Sequence, residues 1–342
     1  MDYSKPVDAE LFPEGCERCS LTKFTGWMSI LGVIFLWGLY AAVRVLGFGL
    51  GETGMDDYFG FGLWITFDLA VIALGAGAFF TGALRYILNI DELKNIVNLA
   101  AVIGFLCYTG AMMILVLDIG QPIRCWFGYW YPNVHMLTEV IFCITCYCIV
   151  LILEFVPLVL ENRQLMKRPF IHALAHNFHV YMPIFAGIGA FLSTFHQGSL
   201  GGMYGVLFGR PYLFPEGFFI WPWTFFLFVL SAVASGPMFT VLVCTFMEKL
   251  TGRRLVSWDV KQLMGKIAGT MFTIYMVFKL ADTAGWVMDI LPRSGMTFDQ
   301  MFHGWIYGKW LLFAELVVCG VLPAYLLFSK KCRSNPALFY LG

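Results

Sequence analysis

An all-α bundle of membrane-spanning helices is the fold class this sequence predicts, and three observations predict it. Of its 342 residues, 59% are hydrophobic and only 13% charged, whereas soluble domains carry about 25% charged residues. The apolar residues fall into runs of about 20, the length a helix needs to cross a bilayer. Those runs do not alternate with period two as barrel strands do, and in lipid only helices and closed barrels satisfy their own backbone hydrogen bonds. The formal net charge is zero, which removes the electrostatic basis for a nucleic-acid partner.

Eight spans can be read in order: 26–47, 61–88, 96–118, 134–158, 177–197, 219–246, 263–290 and 308–329. The run before the first, MDYSKPVDAELFPEGCERCSLTKF, is polar and lacks the apolar core of a cleavable signal. The first span is therefore expected to act as the insertion signal. The second span is interrupted by Asp68 and Arg85, the third closes at Asp118, and the fourth holds Glu139 and Glu154. The fifth ends at His196, the sixth contains no charge, the seventh carries Lys279 and Asp282, and the eighth carries Glu315. This divides the chain into an N-terminal segment 1–25, a helical domain 26–329 and a C-terminal segment 330–342.

Lysine and arginine set the orientation, because cytoplasmic loops are enriched in both. With the N-terminus in the cytoplasm, sixteen of the 22 fall inside. The five expected outside are Arg44, Arg124, Arg210, Arg293 and Lys309, with Lys279 inside a span. Both termini are then cytoplasmic.

Orientation gives the charges a depth. Asp68, Glu139 and Glu315 lie early in inward-running helices, while Lys279 and Asp282 lie late in an outward-running one. Asp118 and His196 close theirs. At 1.5 Å rise per residue, most of these groups lie within roughly 15 Å of the outer surface. The inner half is poorer in charge, with Glu154 near the inner end of the fourth helix. A charged side chain in hydrocarbon costs about 2.5–3.5 kcal/mol or more, so such groups pair or face a polar cavity. A cavity opening outward explains the pattern. Lys279 and Asp282 share one helical face and are within ion-pair reach. Their pair is either merely structural or part of a proton path. Glu139 has only His135 one turn away; unpaired, it suits a proton relay.

Two stretches are denser in information. LDIGQPIRCWFGYWYPN, residues 117–133, offers an Asp118–Arg124 pair, helix-ending Gly120 and Pro122, and five aromatics suited to the membrane interface. FLSTFHQGSLGGMYGVLFG, residues 191–209, combines small residues with Ser193, Thr194, His196, Gln197, Ser199 and Tyr204. A rigid interfacial loop and a closely packed helix end would explain much of both.

These stretches, with Glu139 in TEVIFCITCYCIVLILEF and the ending Arg-Ser-Asn-Pro-Ala-Leu-Phe, closely resemble the NrfD-like family. This family comprises membrane subunits of polysulfide reductase, certain hydrogenases and sulfate-reducer quinone-reductase complexes. The His-Gln-x-Ser-Leu-Gly stretch resembles its longer branch, whose members generally have ten helices rather than the eight read here.

The resemblance implies a quinone-interacting subunit of a multisubunit respiratory complex in the cytoplasmic membrane of a bacterium or archaeon. It implies exchangeable menaquinone and no haem or metal in this subunit. Implied partners are a ferredoxin-like iron–sulfur subunit on the outer face, multihaem cytochrome c or large catalytic subunits, other membrane subunits and lipid. The chain would be part of an oxidoreductase without its own redox cofactor. By similarity, Asp68, Glu139 and His196 are the expected sites of quinone contact and proton exchange. Asp118 and Arg124 would hold the loop over the entrance, and Gln197, Ser199 and Tyr204 would contribute to binding. Glu154, Lys279, Asp282 and Glu315 are the candidates for a proton pathway.

Three rival readings are open. A b-type cytochrome needs opposed axial histidines, but His172, His176 and His179 stack on one side of one helix. A secondary transporter usually shows internal repeats, and none is evident. A purely structural membrane anchor predicts that the buried carboxylates can be neutralised without consequence. Of the ten cysteines, Cys107, Cys143, Cys146, Cys148, Cys244 and Cys319 are expected to be buried as small hydrophobes. Cys16 and Cys19 form a lone CxxC with too few ligands for a zinc or iron–sulfur site.

Overall fold

In a computed structural model the described residues are mostly helical, joined by short turns, with no strand among them. The described residues are 20–55, 62–131, 136–160, 167–205, 220–252, 254–293, 295–304 and 308–342. The Cys16/Cys19 pair lies outside them, as do His135 and residues 206–219.

Eight long helices follow one another: α1 (Leu21–Phe48), α2 (Leu63–Tyr86), α3 (Lys94–Asp118), α4 (Met136–Leu160), α5 (Pro169–Gly205), α6 (Ile220–Thr251), α7 (Trp258–Gly285) and α8. The last is built from Lys309–Phe313, a π-helical segment Ala314–Val321 and Leu322–Phe328. A short α9 (Pro336–Leu341) closes the chain. Among the described residues seven helices are long and apolar enough to cross a membrane; α5 makes an eighth if its two bent halves count as one span.

The start signals are local. Ser20 accepts from the backbone N–H of Lys23 at the head of α1 and Ser257 from that of Val260 at the head of α7, while Asn335 caps α9. Such caps satisfy N–H groups that have no partner within the helix. The bend of 46° in α5 falls between Phe178 and Val180. Pro183 has no N–H for the carbonyl four residues earlier and its ring crowds that group, which puts the break at residue 179.

α2, α3, α4 and α5 gather as one group, α6 packs on α2 and α5, and α7 and α8 follow outward in order. Where α2 crosses α6 the backbones nearly touch. A Cβ on Gly77 would lie 2.1 Å from the Cα of Gly236, so only glycine fits this crossing. Close approach through small residues is how helices associate in lipid, where burying more apolar surface brings no gain.

Two cores result. One joins Phe79, Tyr108, Tyr147, Leu151, Leu200 and Ala232 across α2 to α6. The second lies at the opposite end, where Phe339 of α9 is fully enclosed among Ile96, Val241, Cys244, Met264 and Leu327. Beside it Lys261 pairs with Glu248, which also accepts from the backbone N–H groups of Leu255 and Val256. The Arg333 guanidinium donates to the carbonyls of Leu327 (2.7 Å) and Phe328 (3.0 Å), satisfying the end of α8.

The cysteines differ from expectation. Cys143 and Cys244 are buried, but Cys107 and Cys148 are half-buried and Cys146 and Cys319 face outward. Around a membrane bundle the exterior is itself apolar, so a small hydrophobe gains nothing from facing inward.

Candidate functional site

The polar residues collect toward the bundle end where α2 begins and α3 finishes. The Trp64 indole N–H donates to Asp118 at 2.7 Å, fastening these two ends together. This replaces the expected Asp118–Arg124 pair. The backbone turns after Asp118 through the helical turn Pro122–Arg124, and Arg124 is exposed while Asp118 faces the bundle. One turn along α2 from Trp64, Asp68 is buried, and its Oδ1 has no hydrogen-bond partner among the described residues.

Inward from these carboxyls lies a polar thread through an otherwise apolar core. The hydroxyls of Tyr108 (α3) and Ser193 (α5) are 3.3 Å apart. The Tyr108 ring lies 4.0 Å from that of Tyr147 (α4) and 6.4 Å from that of His196 (α5), centroid to centroid. Ser193, His196 and Gln197 are each almost fully enclosed. Both ring nitrogens of His196 and Nε2 of Gln197 lack partners among the described residues. Buried polar groups left unbonded cost about 1–3 kcal/mol each, and groups of this kind commonly face a ligand or water.

Gln197 also forms the wall of a cavity of about 680 Å³ between α2, α5, α6, α7 and α8, within the range typical of ligand pockets. Its walls are largely apolar, with Leu69, Ala73, Phe228 and Leu312 among them. Its polar groups include those of Gln197, Thr224, Tyr275, Lys279, Asp282 and Glu315. Three residues expected at one depth therefore share one space. A pairing across helices joins two of them. Lys279 bonds Glu315 on the facing helix at 2.8 Å, a partner the spacing within its own helix does not predict. Spacing fixed the face that Lys279 and Asp282 share; only the position of α8 decides which carboxylate meets the ammonium. Both π-helical segments, Trp286–Ile290 and Ala314–Val321, contribute to the lining through Trp286 and Glu315. Such segments occur frequently at functional sites.

The other candidates are distributed more widely. Ser199 donates to the carbonyl of Phe195 on its own helix at 2.9 Å, so its hydroxyl is engaged locally. Gly198 and Gly201 explain the small-residue run. A Cβ at Gly198 would meet the Phe225 ring at 2.0 Å, and one at Gly201 the Thr224 carbonyl at 2.4 Å. Glu154 is buried outside the large cavity, in a narrow crevice of about 20 Å³ with Tyr86, Asn98 and Met182. The side chains of Glu139 and Tyr204 lie outside the described residues. Sequence reasoning missed Tyr108, Tyr147 and Tyr275, because an aromatic in an apolar run has the same pattern as core packing.

Fold and site together define a multi-pass membrane protein with a mainly apolar cavity, carrying a few polar groups, set in its helical bundle. The chain belongs to the polysulphide reductase NrfD family, whose pattern matches residues 51–327. It is 75% identical over 341 residues to the menaquinone reductase integral membrane subunit of Nitratidesulfovibrio vulgaris, covering 99% of this chain and 81% of that protein. It is 23% identical to a selenate reductase subunit of Mesobacillus selenatarsenatis, over 89% of this chain and 75% of that one. With the probable Ni/Fe-hydrogenase 2 b-type cytochrome subunit of Escherichia coli it shares 25% identity over 92% of this chain and 76% of that one.

Proposed function

We propose that this chain is the quinone-interacting membrane subunit of a multisubunit respiratory redox complex. In that complex it exchanges electrons between an iron–sulfur subunit and the menaquinone pool. The observation that carries this reading is the neighbouring pair His196 and Gln197. Both are buried and both have unpartnered polar nitrogens, and one of them faces a mainly apolar cavity of about 680 Å³. The likeness to a menaquinone reductase membrane subunit supports it.

A menaquinone-type quinone supplies a couple of two electrons and two protons. Around it the residues divide the work. The Gln197 amide is placed to donate a hydrogen bond to a carbonyl oxygen at the cavity wall. His196, with both ring nitrogens unpartnered among the described residues, and Asp68, with Oδ1 likewise, are suited to hold and pass a proton at Nε2 or Oδ1, and Glu139 is the fourth candidate. Lys279, Asp282 and Glu315, with Tyr275, hold protons on the opposite wall. Asp118 and Arg124 belong to the entrance: Trp64 fixes the first, and the second is exposed on the connecting turn. Ser199 and Tyr204 have supporting roles at the end of α5. Glu154, in its crevice, is the entry for protons from the other side. Tyr147 and the Tyr108–Ser193 pair lie between it and Gln197.

In this reading the subunit lies in the cytoplasmic membrane of a bacterium or archaeon with its N-terminus inside. A ferredoxin-like iron–sulfur subunit docks on the outer face beside the exposed Arg124, Trp126 and Trp130, linked to multihaem cytochrome c or large catalytic subunits. Other membrane subunits flank the bundle.

The test is saturable quenching of a fluorescent menaquinone analogue by the purified complex. We expect His196→Ala and Gln197→Leu each to weaken binding about tenfold, one lost hydrogen bond in a dry site, with iron–sulfur centres still reducible. Unchanged binding in both variants removes these residues from the site. No binding by the unaltered complex favours the structural anchor or an ion-translocating role.

A further inference from the structure

We propose that the cleft between α1 and the start of α2 is a binding site for one phospholipid bearing an ethanolamine headgroup. α1 stands away from the bundle. Of its 28 residues only Val45 is buried, and it meets the remainder mainly through the helical turn Leu50–Thr53 that follows it. Between α1 and α2 is left an open cleft of about 480 Å³. In hydrocarbon such a gap is filled by acyl chains, because the apolar walls offer water nothing to bond to.

The polar end of the cleft selects what the chains are attached to. Arg44 of α1 and Glu52 of the following turn form an ion pair, and Tyr40 and Thr53 stand beside them. The Arg44 guanidinium is also 3.4 Å from the Tyr40 hydroxyl and 5.2 Å from the centre of the Phe48 ring. Trp37 and Trp64 line the cleft, and Trp and Tyr mark the depth of lipid headgroups. The site thus presents one positive and one negative group side by side at headgroup level. Both are only partly covered, leaving further guanidinium N–H groups and the second carboxylate oxygen of Glu52 for a ligand.

A planar guanidinium binds phosphate oxygens in a two-pronged fashion, and a carboxylate accepts hydrogen bonds from a primary ammonium. Phosphoethanolamine carries both complements, a phosphate and a primary ammonium. A phosphoglycerol headgroup would bring a phosphate against Glu52 with no ammonium to offset it. A phosphocholine headgroup has no N–H to donate. The pocket is therefore a match for the zwitterion with a primary amine.

Native mass spectrometry of the purified complex, stripped of lipid and titrated with phosphatidylethanolamine, phosphatidylglycerol or phosphatidylcholine, tests this. We expect one tightly held phosphatidylethanolamine per chain, favoured about tenfold over the other two, which is about 1.4 kcal/mol. Glu52→Gln should erase the preference over phosphatidylglycerol while keeping a bound lipid. Arg44→Ala should lose retention, and Arg44→Lys should weaken it partially. Unchanged binding of the menaquinone analogue by each variant identifies it as folded; a variant failing that control is set aside and the others decide. Equal retention of the three lipids by the unaltered complex overturns the proposal. So does retention unaffected by Arg44→Ala and Glu52→Gln, or a prenylated quinone or neighbouring helix held there in place of lipid.

Discussion

His196 and Gln197 owe their importance to adjacency on a helix that turns only 100° per residue. Both fit inside the bundle, yet they reach different spaces, one toward Tyr108 and one into the cavity wall. Their residue types and position were legible in the sequence. Their surroundings were not, because Tyr108 comes from α3, 85 residues before the Ser193 it meets on α5. The Lys279–Glu315 pair adds to this: spacing puts Lys279 and Asp282 on one face, and the ammonium also meets a carboxylate across the helix interface. Lys279→Met leaves Glu315 without its cation at the cavity, and should lower thermal stability in detergent. Adding Glu315→Leu should restore part of the loss. A double-mutant cycle is expected to give a coupling of about 1 kcal/mol, within the range for residues in contact. A coupling indistinguishable from zero would show the pair to be incidental.

At the scale of the helices, the crossing of α2 and α6 through Gly77 and Gly236 holds the two halves of the bundle together. Neither glycine stood out in sequence among the chain's 35. What marks them is a backbone approach that exists only once both helices are in place. Gly77→Val and Gly236→Val should each force the helices apart at a cost of about 1–3 kcal/mol or more, read as a lower midpoint of thermal unfolding. Gly38→Val on α1, where a Cβ would meet nothing within 4 Å, should leave the midpoint unchanged. The Ser-Leu-Gly-Gly run belongs to this scale as well. The sequence pointed to close packing or to function; Gly198 and Gly201 account for the close packing against Phe225 and Thr224, and Gln197 carries the chemistry.

The whole molecule is organised as a bundle with a polar end and a latched end. α9 turns back so that Phe339 fills the second core, and Arg333 satisfies the last carbonyls of α8. Phe339→Ala should cost about 3–5 kcal/mol and expose the Glu248–Lys261 pair to faster hydrogen exchange at Leu255 and Val256. Orientation is also a property of the whole. A membrane-impermeant thiol reagent added to sealed, right-side-out vesicles should label the exposed Cys125, with Cys332 protected until the vesicles are opened. The reverse pattern would invert the proposed topology.

By itself the sequence determined the class of molecule, the number and approximate limits of its long helices, and which residues carry charge into them. These follow from local rules: hydrocarbon thickness sets helix length, backbone hydrogen bonds must close within each span, and a charge in lipid stands out by its cost. The tertiary structure decided which charges meet, that Trp64 rather than Arg124 holds Asp118, and that Gln197, Lys279, Asp282 and Glu315 line one cavity. Such contacts join helices far apart in the chain and are selected by how side-chain volumes interlock, a property that no spacing within a single helix contains.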